Sequence, residues 1–185
     1  MPKLSVFLVV DSSLAESKLA GISLFNRALS EATQFAEENS AEVVVVRDGN
    51  LQEHIQKIDA ELIVIHDALR PLVNAAQMQR TLDAIGNFDA ARATMVFTET
   101  LKSVGADGRL EATIDRDSVR RISSPEVIRK SAINFGGKST TWSVPLKNGY
   151  QSCEVESDPQ GIRINNSEEL KVLEALLQVA DPAQK

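Results

Sequence analysis

Apolar residues along this chain fall into short solid runs separated by stretches with a helical beat. Leu4 to Val10, Val43 to Val46 and Leu62 to Ile65 are such runs, each bounded by charged or turn residues. Runs without polar alternation predict strands buried on both faces of a parallel sheet. Between the first two, Leu24, Phe25, Ala28, Leu29, Ala32 and Phe35 recur at helical spacing, with Glu31, Glu37 and Glu38 on the wet side. Shorter helices are predicted over Leu51 to Ile58 and Asn74 to Ile85, followed by a fourth strand from Ala93 to Phe97. Alternation of this kind predicts right-handed βαβ units and a doubly wound α/β domain with a mostly parallel twisted sheet.

The rhythm then breaks. Thr100 to Val104 and Arg109 to Ile114 are strand-like and joined by Gly105-Ala106-Asp107-Gly108, whose Asp-Gly is a hairpin signal. A hairpin here interrupts the βα order, so an arm projecting from the domain is predicted over residues 100–116. Ser124-Pro125 reads as an N-cap followed by a first helical residue. Lys138 to Asn148 is polar and irregular, while Gln151 to Val155 and Ile162 to Ile164 suggest two more strands. Asn166, with Glu169 three residues on, resembles a capping box for a last helix with Leu170, Leu173, Leu176 and Leu177 inside. No repeat or linker divides the chain, and one domain over residues 1–185 is expected.

Composition narrows the partners. Across 185 residues, 26 acidic and 20 basic side chains give a net charge of -6. That balance argues against non-specific nucleic-acid binding or an anionic membrane surface, so a phosphate ligand requires a local basic cluster. Cys153 is the only cysteine, which excludes an internal disulfide and a cysteine zinc site. No apolar run spans a bilayer and no signal peptide is visible, so the cytoplasm is expected.

The most informative chemistry follows the third apolar run, at His66-Asp67-Ala68-Leu69-Arg70-Pro71. Ligands of open α/β sheets bind outside the carboxyl ends of the strands. A carboxylate there suits Mg²⁺ beside a nucleoside triphosphate, and an arginine three residues on suits phosphate oxygens. Spacing alone leaves a second reading open, in which Asp67 caps its loop, His66 packs in the core and Arg70 is a surface charge.

Several later segments extend the pattern: Thr100-Leu101-Lys102, Thr113-Ile114-Asp115-Arg116, Ser124-Pro125-Glu126, Gly161-Ile162-Arg163-Ile164-Asn165 and Asn166-Ser167-Glu168-Glu169-Leu170. With His66 to Pro71, they resemble in order the motifs of the 2-C-methyl-D-erythritol 4-phosphate cytidylyltransferase family, over roughly residues 61 to 177. The resemblance implies a Rossmann-like nucleotidyltransferase fold. It also implies a reaction of CTP with a sugar-alcohol phosphate to give the CDP-alcohol and pyrophosphate, within isoprenoid biosynthesis. By the same resemblance, Asp67 holds magnesium, Arg163 stands where the family has a lysine near the attacking phosphate, and Arg70 joins them as a catalytic group. Thr100, Lys102 and Arg116 bind acceptor phosphate from an arm that reaches the partner's site in a homodimer.

The nucleotide side departs from that family. The first strand leads into Asp11-Ser12-Ser13-Leu14-Ala15-Glu16-Ser17-Lys18, with no glycine and no arginine. The family's long glycine-rich loop is replaced, and Arg47-Asp48-Gly49-Asn50-Leu51-Gln52 replaces a second glycine-rich signature. Asp11 and Glu16 are expected to repel a triphosphate, leaving Lys18 as the loop's only cation. Two readings follow: an enzyme binding CTP through a reshaped loop, or a catalytically impaired relative kept as a binding or partner subunit.

Overall fold

The computed structural model describes residues 2–138, 140 and 142–180. In chain order the elements are β1 (Leu4–Val9), β2 (Lys18–Leu19), β3 (Ile22–Ser23), α1 (Leu24–Glu38), β4 (Glu42–Val46), α2 (Leu51–Lys57) and β5 (Leu62–Asp67). They continue with α3 (Ala75–Ala84), β6 (Ala90–Met95), β7 (Leu101–Val104), β8 (Leu110–Ile114), β9 (Arg121–Arg129), β10 (Ser152–Glu156) and α4 (Ser167–Ala180). A six-stranded sheet has the order β10-β6-β9-β5-β1-β4. β1 runs parallel to β4 and β5, β10 runs parallel to β6, and β9 lies antiparallel between β5 and β6. The mostly parallel sheet is therefore the one the apolar runs predict.

All positions of β1 and β5 are buried, because helices or loop cover both faces of the sheet. Val6 and Val64 pack with Phe35 of α1 and Met78 of α3, while Leu8 packs with Leu24, Ala28 and Leu173. On the opposite face Phe7, Val9, Ile63 and Ile65 meet Leu51 and Ile55 of α2. α1 starts where the Ser23 hydroxyl accepts the Asn26 N–H at 3.1 Å. The described residues between 138 and 148 are irregular as predicted, but Trp142, Val144 and Leu146 cover the α2 face. Their apolar side chains, separated by Ser143 and Pro145 in a loop, conceal a piece of the core.

Three expectations change. Ser124-Pro125 opens no helix; it lies within β9, where the Ser124 hydroxyl meets buried His66 and the Asp67 N–H. The β6–β9 register shifts between Arg92 and Thr94, opposite this stretch. Such an irregularity accommodates a proline that has no N–H for the ladder. Ile162 to Ile164 forms no strand, and Ile164 N instead donates to Leu69 O at 2.8 Å, tying residues 161–165 to the loop after β5. The fourth strand begins at Ala90, earlier than predicted, since the small residues Ala90 and Ala91 are fully buried there. β7 and β8 form a separate two-stranded sheet, the predicted arm. No helix among the described residues is long and apolar enough to cross a membrane.

Candidate active site

β1 and β5 are in register, with Val9 beside Asp67, so the loops that follow both strands open at one edge of the sheet. Asp67 is the last residue of β5 and only 2% exposed. Its Oδ1 accepts the Leu69 N–H at 3.0 Å, and its Oδ2 accepts Arg163 Nε at 2.8 Å. Arg70 Nε lies 3.7 Å from the same Oδ2. Burial pushes the Asp67 carboxyl above its ordinary range, and Arg163 and Arg70 pull it back.

Arg70 is buried and makes its two shorter bonds to backbone. It donates to Gly161 O at 2.7 Å and Ile122 O at 3.1 Å, and to Ser123 Oγ at 3.3 Å. It thereby clamps the 161–165 loop to β9. Gly161 is required at that clamp: a Cβ would stand 2.8 Å from Ser157 Oγ and 3.1 Å from Asp158 O. Desolvation brings Arg70 down to about 10, against the pull of Asp67, and it remains charged at neutral pH.

Arg163 is the half-buried centre of the cluster. Beyond Asp67, its Nη2 donates to Asp11 Oδ2 at 2.7 Å and its Nη1 to Asn165 Oδ1 at 2.8 Å. Asn165 is held in turn by Glu169 in the first turn of α4, where Asn166 Oδ1 accepts the Glu169 N–H as the capping pattern predicts. Arg70, Arg121, Trp142 and Arg163 line a cleft of about 440 Å³, with Met95, Ile122 and Ile162 as its apolar wall. The guanidiniums of Arg70 and Arg163 lie 5.9 and 6.0 Å from the Trp142 ring. Sequence reasoning missed Arg121 and Trp142; the lone tryptophan inside a polar stretch was the available signal.

Behind the cleft, His66 is fully buried and 2.7 Å from Ser124 Oγ through Nδ1, while its Nε2 has no hydrogen-bond partner among the described residues. Desolvation, assisted by Arg70, lowers its pKa to about 3, so it is neutral at physiological pH. His66 is thus a core residue. The other predicted residues are dispersed. Lys18 lies exposed on β2. Lys102 bonds Thr113 within the arm at 2.6 Å, Arg116 bonds Thr98 O at 2.6 Å at its base, and Thr100 immediately precedes β7. Within one chain, the cluster therefore gathers Asp67, Arg70 and Arg163, and leaves Thr100, Lys102 and Arg116 on the arm.

The loop after β1 is not the bare acidic segment that its sequence predicts. Ser12 caps a short 3₁₀ turn over Ser13–Glu16. Asp11 is held by Arg163, and Glu16 by Arg47 at 3.0 Å. Arg47 arrives from the end of β4 and stacks 4.3 Å from the Phe25 ring. A second, open cavity of about 390 Å³ is lined by Asp11, Ser12, Ser13, Glu16 and Arg47. Arginines from elsewhere in the chain thus balance both acidic side chains.

Magnesium requires an open set of oxygen ligands. Both Asp67 oxygens are already engaged by cations and backbone, and no group of three His, Cys, Asp or Glu with metal-holding geometry occurs among the described residues. The residues do not fit a magnesium ion held on Asp67.

Known proteins resemble this chain in sequence and in fold. The bifunctional enzyme IspD/IspF of Nitrobacter winogradskyi is 32% identical over 108 residues, covering 57% of this chain and 26% of that protein. The corresponding enzyme of Bradyrhizobium diazoefficiens is 35% identical over 81 residues, covering 44% and 20%. The chain thus spans about a quarter or less of the length of these curated relatives. Among solved structures, 4-diphosphocytidyl-2C-methyl-D-erythritol synthase from Anaerococcus prevotii superposes with a TM-score of 0.76 at 16% identity, over 96% of this chain and 99% of that one. The 2-C-methyl-D-erythritol 4-phosphate cytidylyltransferase of Thermus thermophilus gives 0.71 at 18%, over 93% and 98%. These likenesses establish the shared fold. The family model IspD, 2-C-methyl-D-erythritol 4-phosphate cytidylyltransferase, matches residues 22–178, and the chain belongs to that family.

Proposed function

We propose that this chain transfers a cytidylyl group from CTP to the phosphate of a sugar alcohol such as 2-C-methyl-D-erythritol 4-phosphate, releasing pyrophosphate. The observation that carries the reading is Arg163, braced by Asp67 and presented with Arg70 and Arg121 in one cleft at the carboxyl ends of β1 and β5. An acceptor phosphate oxygen attacks the α-phosphorus of CTP. The new O–P bond forms as the bond from that phosphorus to the bridging oxygen breaks, and pyrophosphate leaves with the electron pair. Charge accumulates on the phosphoryl oxygens, so positioning and fixed cations supply most of the catalysis. Arg163 supplies N–H groups and charge at that point, Arg121 draws in the acceptor phosphate, and Asp67 positions Arg163. Arg70 holds the wall of the cleft in place. On the nucleotide side, Arg47 pairs with Glu16 of the reshaped loop, and Lys18 follows that loop on β2.

The arm completes the site in a homodimer. Val104 and Leu110 are 62% and 72% exposed at its tip, and a two-stranded ribbon is marginal alone. In the dimer Thr100, Lys102 and Arg116 reach the partner's cleft and contact the acceptor phosphate. The protein works in the cytoplasm, where CTP is available. The test is pyrophosphate release from CTP with 2-C-methyl-D-erythritol 4-phosphate, compared with ATP, GTP and UTP. Release specific to CTP, lost in Arg163→Ala, supports the reading. No release with any nucleotide at enzyme concentrations near that of substrate would refute it.

A further inference from the structure

The Nε–Nη2 edge of Arg163 faces two carboxylates at once. Asp67 Oδ2 lies 2.8 Å from Nε, and Asp11 Oδ2 lies 2.7 Å from Nη2. The side chains of Arg163, Asp11 and Asp67 are 19%, 14% and 2% exposed, so the arrangement is largely withdrawn from water. Two carboxylates converging from the ends of adjacent strands would otherwise attract a divalent cation. Here a planar guanidinium takes that position and satisfies one oxygen of each by a charge-assisted hydrogen bond. The rest of the guanidinium is fixed by Asn165, itself anchored to α4 through Glu169. Asp67 Oδ1 is turned away to the Leu69 N–H, and Arg70 flanks Oδ2 at 3.7 Å. A metal on Asp67 therefore has to displace an arginine braced at three points. A lysine, with one point charge on a flexible stem, cannot span both carboxylates side-on in this way.

We propose that Arg163 is a built-in replacement for a protein-bound divalent cation: its guanidinium bridges Asp11 and Asp67, and the chain alone holds no metal there. The acidic Asp11, a departure on the nucleotide side, and the arginine at position 163 then form one matched pair. The inference concerns the site of the proposed reaction but not its substrates. Its test reads metal binding without nucleotide, so either idea can fail while the other stands.

Mn²⁺ binding to the nucleotide-free protein is followed by the loss of its free-ion EPR signal. The wild-type chain is expected to bind no stoichiometric Mn²⁺ up to about 1 mM, a weak-binding limit. Arg163→Ala exposes Asp11 and Asp67 to each other and is expected to gain a site at least about tenfold tighter, by the affinity scale used for such shifts. Adding Asp67→Asn to that variant is expected to remove the new site. Arg163→Met, which fills more of the vacated volume, serves as a second route should the alanine variant fold poorly, with folding checked by circular dichroism. One Mn²⁺ bound by the wild type and lost in Asp67→Asn overturns the proposal. So does a folded Arg163→Ala or Arg163→Met chain that gains no metal.

Discussion

Two loops leave neighbouring parallel strands at the same edge of the sheet, and they are built on different principles. The end of β5 and the loop after it are almost wholly buried: His66, Asp67 and Arg70 are each 3% exposed or less. The loop after β1 is open, and its acidic residues are held by side chains from distant elements, Arg47 and Arg163. In the first, each polar group is fixed by burial, and changing one leaves others without partners. In the second, Glu16 and Arg47 remain 59% and 50% exposed, so water can replace either. The family match, over residues 22–178, accordingly includes the buried loop and leaves out the open one.

The largest expected effect breaks this contrast directly. Asp67→Ala leaves Arg70 and Arg163 without their shared carboxylate, and breaking a buried ion pair from one side costs about 3–5 kcal/mol. Asp11→Ala removes a partner nearer the surface, and about 1 kcal/mol is expected. Urea denaturation of both variants checks the ordering, and equal losses would mean that burial does not distinguish the two loops. Asp67→Asn, which keeps the shape, is expected to reduce turnover by about a hundredfold or more, since Arg163 loses its brace.

The same contrast explains what was legible in the sequence. Solid runs such as Val6 to Val10 and Leu62 to Ile65 imply burial on both faces, and the sheet has no other way to satisfy them. His66 to Pro71 was legible because a short polar motif at the end of a buried run has few places to go. The pairing of Asp11 with Arg163 was not, because 152 residues separate them and only the folded sheet edge brings them together. Ser124-Pro125 misled because the cap-and-proline signal is local, while the partners of the Ser124 hydroxyl lie on β5. Trp142 was hidden by its polar neighbours, since an irregular segment covering a sheet has no period to read.

A second test sharpens the account of the buried loop through pH. His66 falls from its ordinary 6.5 to about 3 in the folded chain, through desolvation and the nearby Arg70. The unfolded chain therefore binds more protons between those values, and the contribution of His66 to stability is full above pH 6.5 and lost as pH falls toward 3. Asp67 and Glu126, both raised by burial, act in the opposite sense, because the folded chain holds their protons more readily as pH falls. The histidine contribution is isolated by comparing wild type with His66→Asn at pH 7, 5 and 4. The stability gap between them is expected to narrow steadily toward acid, and a gap independent of pH would show that His66 charges freely in the fold.

The arm stands outside both loops, and a smaller effect is expected there on the fold of each chain. Val104→Asp with Leu110→Asp places charge on the most exposed apolar tip and is expected to weaken self-association at least about tenfold. Sedimentation over a concentration series reads this, while the unfolding midpoint of the dissociated chain should barely move. Association unchanged by both charges would leave the tip without a role in the proposed dimer.

The smallest expected effect lies in the open loop. Glu16 and Arg47 form a surface pair at 3.0 Å, and such pairs contribute roughly 0–1 kcal/mol. Glu16→Gln should therefore leave the urea midpoint nearly unchanged. Its effect on ligand binding is more informative, because Arg47 lines the open cavity beside Ser12 and Ser13. Removing the carboxylate releases the Arg47 charge toward an incoming triphosphate and removes one repulsive contact. Near the surface that contact is worth on the order of 1 kcal/mol, or about fivefold in affinity. Glu16→Gln is thus expected to tighten CTP binding about fivefold at low salt, and the gain should shrink as ionic strength rises and screens the pair. Asp11→Asn provides the contrast, since Asp11 lies against Arg163 in a more enclosed setting and its change should depend less on salt. Calorimetric titrations of CTP at two ionic strengths separate the cases. An unchanged affinity in Glu16→Gln, with wild-type binding intact, would mean that the triphosphate does not pass over Arg47 and that the nucleotide lies wholly in the arginine cleft around Trp142.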